Sequence, residues 1–244
     1  MNKLADRIIH VLDSLLNLAV YIVVIVLLFI SGYSLMDNYR LHQQASDDSL
    51  LVYKPVLDEQ SKDPAESISL DGQVGWLCVE NTYIDYPLMQ GLDNFEYLNK
   101  DPYGEFKLSG SIFLDSSNAG DLTDPFSMIY GHHMDHYSMF GSLDLFAVEA
   151  YYNYHRDGWI ATKDQVYDLK LFAVVWGMGN DWEVFSPAGK TVEDVLAYIE
   201  PRAVINSGYE PGHRIVCLST CAGEEALSRL LVFGMIKERT AFSP

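Results

Sequence analysis

The chain has 244 residues, enough for one membrane anchor and one domain with a sizeable core. Its 34 acidic residues outnumber 16 Lys and Arg, giving a formal net charge of −18. That balance excludes nucleic acid as a partner, because phosphate binding needs clustered cations, and it fits a solvated surface facing an amine-bearing or basic partner.

The first element is apolar. Leu15 to Met36 contains no charged residue, and a spanning helix needs about 20 such residues. A cleaved signal peptide has a shorter apolar core, of roughly 7–15 residues, ending at a small-x-small site. Ser31-Gly32-Tyr33-Ser34-Leu35-Met36 makes a poor site of that kind, so residues 15–36 are expected to be an uncleaved signal anchor after a short cytoplasmic segment, residues 1–14. Lys3 and Arg7 precede the run and only Arg40 follows closely. The positive-inside rule then places the N-terminus in the cytoplasm and everything from Asp37 onward outside, in a single-pass arrangement.

Residues 37–70 are polar and read as an extracellular stalk with one or two short helices; the domain of interest is expected over 71–244. From Val74 the chain turns to short β-rich runs punctuated by Gly, Asn and Asp. Strands are expected at 74–79, at 84–89 (with Pro87 marking an edge or bulge), at 111–114, at 127–130 and, at greater length, at 165–176. Asp93 to Asn99 reads as a short helix, and Met139 to Val148 as another. Thr191 to Ile199 has a capping Thr, early acids and helical spacing. Arg214–Cys221 and Arg229–Ile236 read as the last two strands. About eight short strands with interposed helices predict a mainly β fold, a closed or nearly closed barrel.

There are three cysteines, Cys78, Cys217 and Cys221. An odd, low number is no disulfide framework. Cys217 and Cys221 on one strand would stand roughly 13 Å apart at about 3.3 Å per residue, beyond the reach of a disulfide. No CxxC or HExxH pair is present, so no zinc site is expected. Asp47-Asp48 and Glu224-Glu225 read as solvated charge rather than calcium ligands. No metal and no cofactor is expected.

A cysteine nucleophile needs a thiolate, which a nearby cation favours. Acyl transfer further needs a group for the oxyanion and an acid for the leaving amine. Cys221 ends an apolar strand just before Ala222-Gly223-Glu224, where a side chain can be partly exposed on a rigid element. Alternation groups Cys217, Ser219 and Cys221 on one strand face and Val216, Leu218 and Thr220 on the other. Cys78, between Leu77 and Val79, reads as an inert small hydrophobe, and so does Cys217. Histidine candidates are His132, His133, His136 and His213; His10, His42 and His155 are less well placed. His132 follows Met128-Ile129-Tyr130-Gly131 at a strand end. Arg229 opens the final strand, and a short hairpin would bring it to the same barrel end as Cys221. Singly, each of these residues reads as an ordinary core thiol, surface histidine or surface charge.

Together they resemble a family. Tyr130-Gly131-His132-His133-Met134, Ser138-Met139-Phe140, and Leu218-Ser219-Thr220-Cys221 with Arg229 beyond are similar to the motifs of sortases, class B in particular. Gly75-Trp76-Leu77, Ile84-Asp85-Tyr86-Pro87, Asp93-Asn94 with Tyr97-Leu98, and Gly110-Ser111-Ile112-Phe113-Leu114-Asp115 match class B signatures in the same order. The resemblance covers roughly residues 71–237. It implies an eight-stranded sortase-type β-barrel with added helices, one of them Thr191–Tyr198 between the sixth and seventh strands. It implies Cys221 as nucleophile, His132 rather than His133 as acid and base, and Arg229 as the cation. Asn94, Leu98, Tyr130 and Ser219 become substrate-lining positions, and the Ala222 backbone N–H an oxyanion donor. Two departures are visible. Cys217 stands where the family commonly has Thr, and 222–227 lacks the aromatic residues often found there. The first predicts a packing effect; the second bears on substrate preference.

The implied reaction cleaves a C-terminal sorting signal of the LPxTG or NPxTN kind after Thr. The acyl group then passes to an amine of a peptidoglycan precursor such as a lipid II-like molecule, or to a pilin lysine. Partners would be secreted proteins with such a signal, at the outer face of a Gram-positive cell membrane. Alternatives are a hydrolytic cysteine protease using the same residues with water, and an anchored binding module with a dead site.

Overall fold

The structure, a computed structural model, describes residues 3–45, 48–57, 68–179, 181–221 and 228–239; of residues 3–6, 8, 37–45, 48, 136, 221 and 228 it describes the backbone alone. The chain divides into two compact units, Met1–Gln43 and Gln44–Pro244.

The first unit is helical. Helix α1 (Lys3–Ala45) contains an apolar stretch long enough to cross a membrane, Ile9–Met36, which begins earlier than the charge-free run alone suggests. None of it is buried against protein. A helix this long and apolar suits a lipid environment, where its backbone groups are satisfied internally.

The second unit is a barrel. Its strands are β1 (Gln73–Val79), β2 (Asp85–Met89), β3 (Ile112–Leu114), β4 (Phe126–His132), β5 (Asp157–Thr162), β6 (Val166–Met178), β7 (Ala203–Asn206), β8 (Arg214–Cys221) and β9 (Ser228–Glu238). Neighbour order is β5-β1-β2-β3-β4-β8-β9-β6, and the β5–β6 pairing closes the ring. Eight strands thus form the barrel, as the pattern of short β-rich runs predicts. β7 is additional: β6 pairs with β5 through 166–170 and with β7 through 173–175, so one long strand serves both in succession. β5 and β7 carry no mark in the sequence strong enough to single them out. β5 follows directly on a helix and contains Gly158, and β7 is four residues long with alternating half-exposed and exposed side chains. At Pro87, β2 has β1 on one side, and its pairing with β3 starts only at Leu88. A residue without an N–H is therefore tolerated there.

Helices cover the barrel. Where a helix is expected over 139–148, a 3-10 helix forms at Gly141–Ala147, followed by α2 (Glu149–Tyr154); Leu143 and Phe146 are buried in the barrel core. Between β6 and β7 lie α3 (Trp182–Phe185) and α4 (Val192–Ile199). Thr191 caps α4 in a reciprocal capping box with Asp194, as its sequence predicts. Part of the expected stalk belongs to this unit: a 3-10 helix at Asp48–Tyr53 leads to Leu50, Tyr53 and Leu57 packing on Trp76 and Trp159. Residues 58–67, with the polar run Glu59–Pro64, lie outside the described residues.

Strand alternation sorts the core into two layers. Ile129, Val216, Leu218, Leu230 and Val232 share a cluster that fills the barrel. Met128, Tyr130, Cys217, Leu231 and Phe233 share another, with Val184 of α3 and Val195, Tyr198 and Ile199 of α4. The second layer lies between the barrel wall and its helices, and the candidate site stands at its edge.

Candidate active site

Tyr130-Gly131-His132 ends β4. Gly131 falls on the inner face, where a Cβ would lie 2.3 Å from Ile112 Cδ1 and 2.9 Å from the Phe140 ring. No side chain fits there without displacing the core, so only glycine lets Tyr130 and His132 flank this point on the outer face. β4 pairs with β8 in parallel through Phe126↔Ile215 to His132↔Cys221. Cys221 and His132 are thus direct register partners, although 89 positions apart in sequence, from 132 to 221.

His132 is half-buried, and its Nε2 lies 2.6 Å from the Leu98 carbonyl oxygen. A carbonyl only accepts, so Nε2 carries a proton and donates it there. Nδ1 is left as the nitrogen able to exchange a proton. His133 is turned elsewhere: its Nε2 donates to Asp144 at 2.7 Å at the exposed surface. His155 Nδ1 donates to the Tyr151 carbonyl and His213 Nδ1 to that of Glu210. His10 lies in the apolar helix α1, and the side chains of His42 and His136 lie outside the described residues.

Arg229 enters from β9, where it pairs with Gly177 of β6. The β8–β9 register, Cys217↔Phe233 and Ser219↔Leu231, runs toward Cys221 and Arg229 at the strand ends. Arg229 Nη1 donates to the Thr220 carbonyl at 3.1 Å, and its guanidinium lies 5.3 Å from the centre of the Phe185 ring. A Cβ on Gly179 would stand 2.6 Å from Arg229 Nε, so a glycine lets the cation lie against the backbone. Nε is buried and has no partner, and no acidic side chain pairs with Arg229 among the described residues. A guanidinium with no acidic partner among the described residues can donate to an anion beside it.

The two other cysteines are unreactive by position. Burial first, and then the Asp85 carboxylate, pushes the Cys78 thiol up to about 12. Cys217 is fully buried, which also pushes its thiol well up. Its place in the outer layer, against Phe233 and the α4 side chains, accords with a packing role for the position where the family commonly has Thr.

Of the substrate-lining candidates, Leu98 supplies the His132 acceptor. Tyr130 is nearly buried, its hydroxyl donating to Asp115 at 2.9 Å and its ring stacked 6.5 Å from Phe185. Asn94 donates through Nδ2 to Asp115 and accepts from the Ser116 N–H. Ser219 has no exposed surface and its hydroxyl donates to the Thr220 carbonyl, so it supports the floor beneath the strand end. Ala222, with all of 222–227, lies outside the described residues, as does Asp47. Sequence reasoning leaves Phe185 and the roles of the Leu98 carbonyl, Gly179 and Asp115 unmarked, since each is defined by a contact across elements. Among the described residues no cluster of His, Cys, Asp or Glu is arranged to hold a metal.

The barrel closes in this order with a cysteine and a histidine in register at adjacent strand ends and an arginine on the next strand, the layout of a β-barrel with a candidate cysteine site. No family model matches the chain. A curated relative, "Sortase B" of Staphylococcus aureus, is 26% identical over 231 residues, covering 89% of this chain and 95% of the relative. A Streptococcus pyogenes class B sortase involved in pilus biogenesis is 35% identical, with 70% of this chain and 95% of that one covered at a TM-score of 0.63. A Staphylococcus aureus sortase B–substrate complex is 28% identical, with 72% and 84% covered at a TM-score of 0.65. The chain belongs to the class B sortases, a family of cysteine transpeptidases.

Proposed function

We propose that the protein is a membrane-anchored transpeptidase that cleaves a C-terminal sorting signal and passes the acyl group to an amine. Supporting the reading is the β4–β8 register, which pairs Cys221 with His132 while Arg229, free of any acidic partner among the described residues, bonds the Thr220 carbonyl beside them. In this proposal the Cys221 thiolate attacks the carbonyl carbon of the signal's Thr, and the C=O electron pair moves to oxygen. Arg229 donates to that oxyanion, with the Ala222 N–H as second donor; one such donor is worth about 2.7–4 kcal/mol in comparable sites. The intermediate collapses, the C–N bond breaks, and His132 gives a proton to the departing amine. The thioester is then attacked by an incoming amine, whose proton returns to His132, and the thiolate is released.

Throughout, the Leu98 carbonyl keeps Nε2 protonated and leaves Nδ1 as the exchanging nitrogen. The donor in this reading is a protein sorting signal of the LPxTG or NPxTN type, which the motif resemblance implies; the Staphylococcus aureus relative is solved as a sortase B–substrate complex. The acceptor is a peptidoglycan precursor amine, with a pilin lysine as the alternative favoured by the Streptococcus pyogenes relative involved in pilus biogenesis. Lys3 and Arg7 before the anchor, against Arg40 alone soon after, favour a cytoplasmic N-terminus and residues 71–244 as the catalytic domain outside.

The test is a panel of sorting-signal peptides incubated with the full chain in detergent, with and without an amine, read by mass spectrometry. The expected result is an amine-dependent ligated product and a thioester adduct on Cys221, both lost in Cys221→Ala. Cleavage without ligation at saturating amine would make the protein a hydrolase. Full activity of Cys221→Ala would overturn the assignment.

A further inference from the structure

Asp115 follows β3 directly and is 3% exposed, yet no cation pairs with it among the described residues. Its charge is met by hydrogen bonds alone. Oδ1 accepts from the Ser117 N–H at 2.9 Å and the Ser117 hydroxyl at 2.6 Å. Oδ2 accepts from Asn94 Nδ2 at 2.8 Å and the Tyr130 hydroxyl at 2.9 Å. A carboxylate is acceptor-only, with about four lone-pair sites, and suits this convergence of donors. An amide of the same shape does not, because its NH₂ would face one of the two donor pairs.

The two donors on Oδ2 lead to the two working groups of the site. Asn94 is reciprocally fixed, its Oδ1 accepting from the Ser116 N–H at 2.7 Å. It begins the turn that reaches Leu98, whose carbonyl accepts from His132. Tyr130 is stacked against Phe185, and the Phe185 ring faces the Arg229 guanidinium. We propose that Asp115 is a positioning residue for the transfer reaction: its carboxylate anchors the Asn94–Leu98 turn that orients His132 and, through Tyr130 and Phe185, the ring against which Arg229 lies. Among the described residues the Asp115 carboxylate bonds Ser117, Asn94 and Tyr130, so its effect on the reaction runs through them. The inference rests on the proposed function in taking His132 as acid and base and Arg229 as the oxyanion cation.

The variant is Asp115→Asn in the full chain in detergent, with three readouts: kcat and KM on a responsive peptide, the pH profile of Cys221 alkylation by iodoacetamide, and the unfolding midpoint. A misplacement of His132 and Arg229 predicts a fall in kcat of about tenfold or more, since small displacements of reacting groups are costly. KM should change by less than about threefold, because the lost interactions act on the transition state. The alkylation profile should be displaced along pH, which a purely structural role would not produce. Tyr130→Phe and Asn94→Ala should each show part of the kcat loss, and Asp115→Asn combined with Tyr130→Phe should fall short of the product of the two.

An unchanged kcat and alkylation profile, with or without a lower unfolding midpoint, would overturn the proposal; so would a fully multiplicative double variant. If Asp115→Asn does not fold, Tyr130→Phe and Asn94→Ala carry the test, and wild-type values in both overturn it. The wild-type chain separates the two readings. If it transfers no peptide and alkylates Cys221 no faster than Cys78, the functional reading and this inference fail together. If it is active and the variants match it, this inference fails alone.

Discussion

Cys78 and Cys217 are held as neutral thiols by their surroundings, one by burial beside Asp85 and one by complete enclosure. The sign follows directly. A thiol pushed up to about 12 has a negligible thiolate fraction near neutral pH, and reacts only as the pH climbs toward that value. The same shift makes Cys78 favour the folded chain below the ordinary thiol range near ~8.5. That contribution is lost as the pH rises from there to about 12. The expected outcome with iodoacetamide near pH ~7.5 is modification of Cys221 at least about tenfold faster than of Cys78, with Cys217 unmodified until unfolding. Peptide mapping by mass spectrometry checks it, and equal rates for Cys78 and Cys221 would count against a poised thiolate. Histidines are sorted by partners in the same way: His132 and His133 are neighbours in sequence, but one bonds the Leu98 backbone carbonyl and the other an exposed carboxylate.

At the scale of elements, α3 and α4 hold the outer layer closed over the strands that carry the site. Val195, Tyr198 and Ile199 pack with Cys217, Leu231 and Phe233. Arg202 links the two helices, lying 4.3 Å from the Tyr198 ring centre and 3.0 Å from Glu183. The start of α4 depends on the Thr191 capping box, with bonds of 3.2 Å from the Asp194 N–H to Oγ1 and 2.9 Å from the Thr191 N–H to the Asp194 carboxylate. Thr191→Ala should cost about 1 kcal/mol of stability, within the usual range for a lost cap. A urea titration should show a lower midpoint with an unchanged slope; an unchanged midpoint would mean that the helix is held by packing alone. The Thr191 N–H and hydroxyl hold the Asp194 carboxyl below its usual range. Its contribution is therefore present above the ordinary carboxylate range and lost as the pH falls through the lowered value. In the Thr191→Ala variant that acid-side loss should shrink.

For the whole molecule, the length and apolarity of Ile9–Met36 predict how the chain partitions. The full chain should stay with the membrane fraction through high salt and alkaline carbonate and leave it only in detergent. Release by salt alone would show a peripheral attachment. The N-terminal apolar helix, the barrel class, the capped helix α4 and the family motifs were legible because each is written in consecutive residues: an unbroken apolar run, alternation of period two, a Thr three residues before an Asp, a Tyr-Gly-His at a strand end. β5 and β7 were not legible, because a short strand is stabilised by the partners that flank it, here β1 and β6 for one and β6 for the other. The same distinction runs through the site. Residue order alone nominates Cys221, His132 and Arg229 as chemically apt, and the family resemblance joins them. Only the tertiary structure decides that β4 meets β8 in a register pairing His132 with Cys221, that the Leu98 carbonyl selects the histidine tautomer, and that Asp115 ties Asn94 to Tyr130. Those facts depend on contacts between segments many residues apart, and such contacts exist only once the barrel has closed.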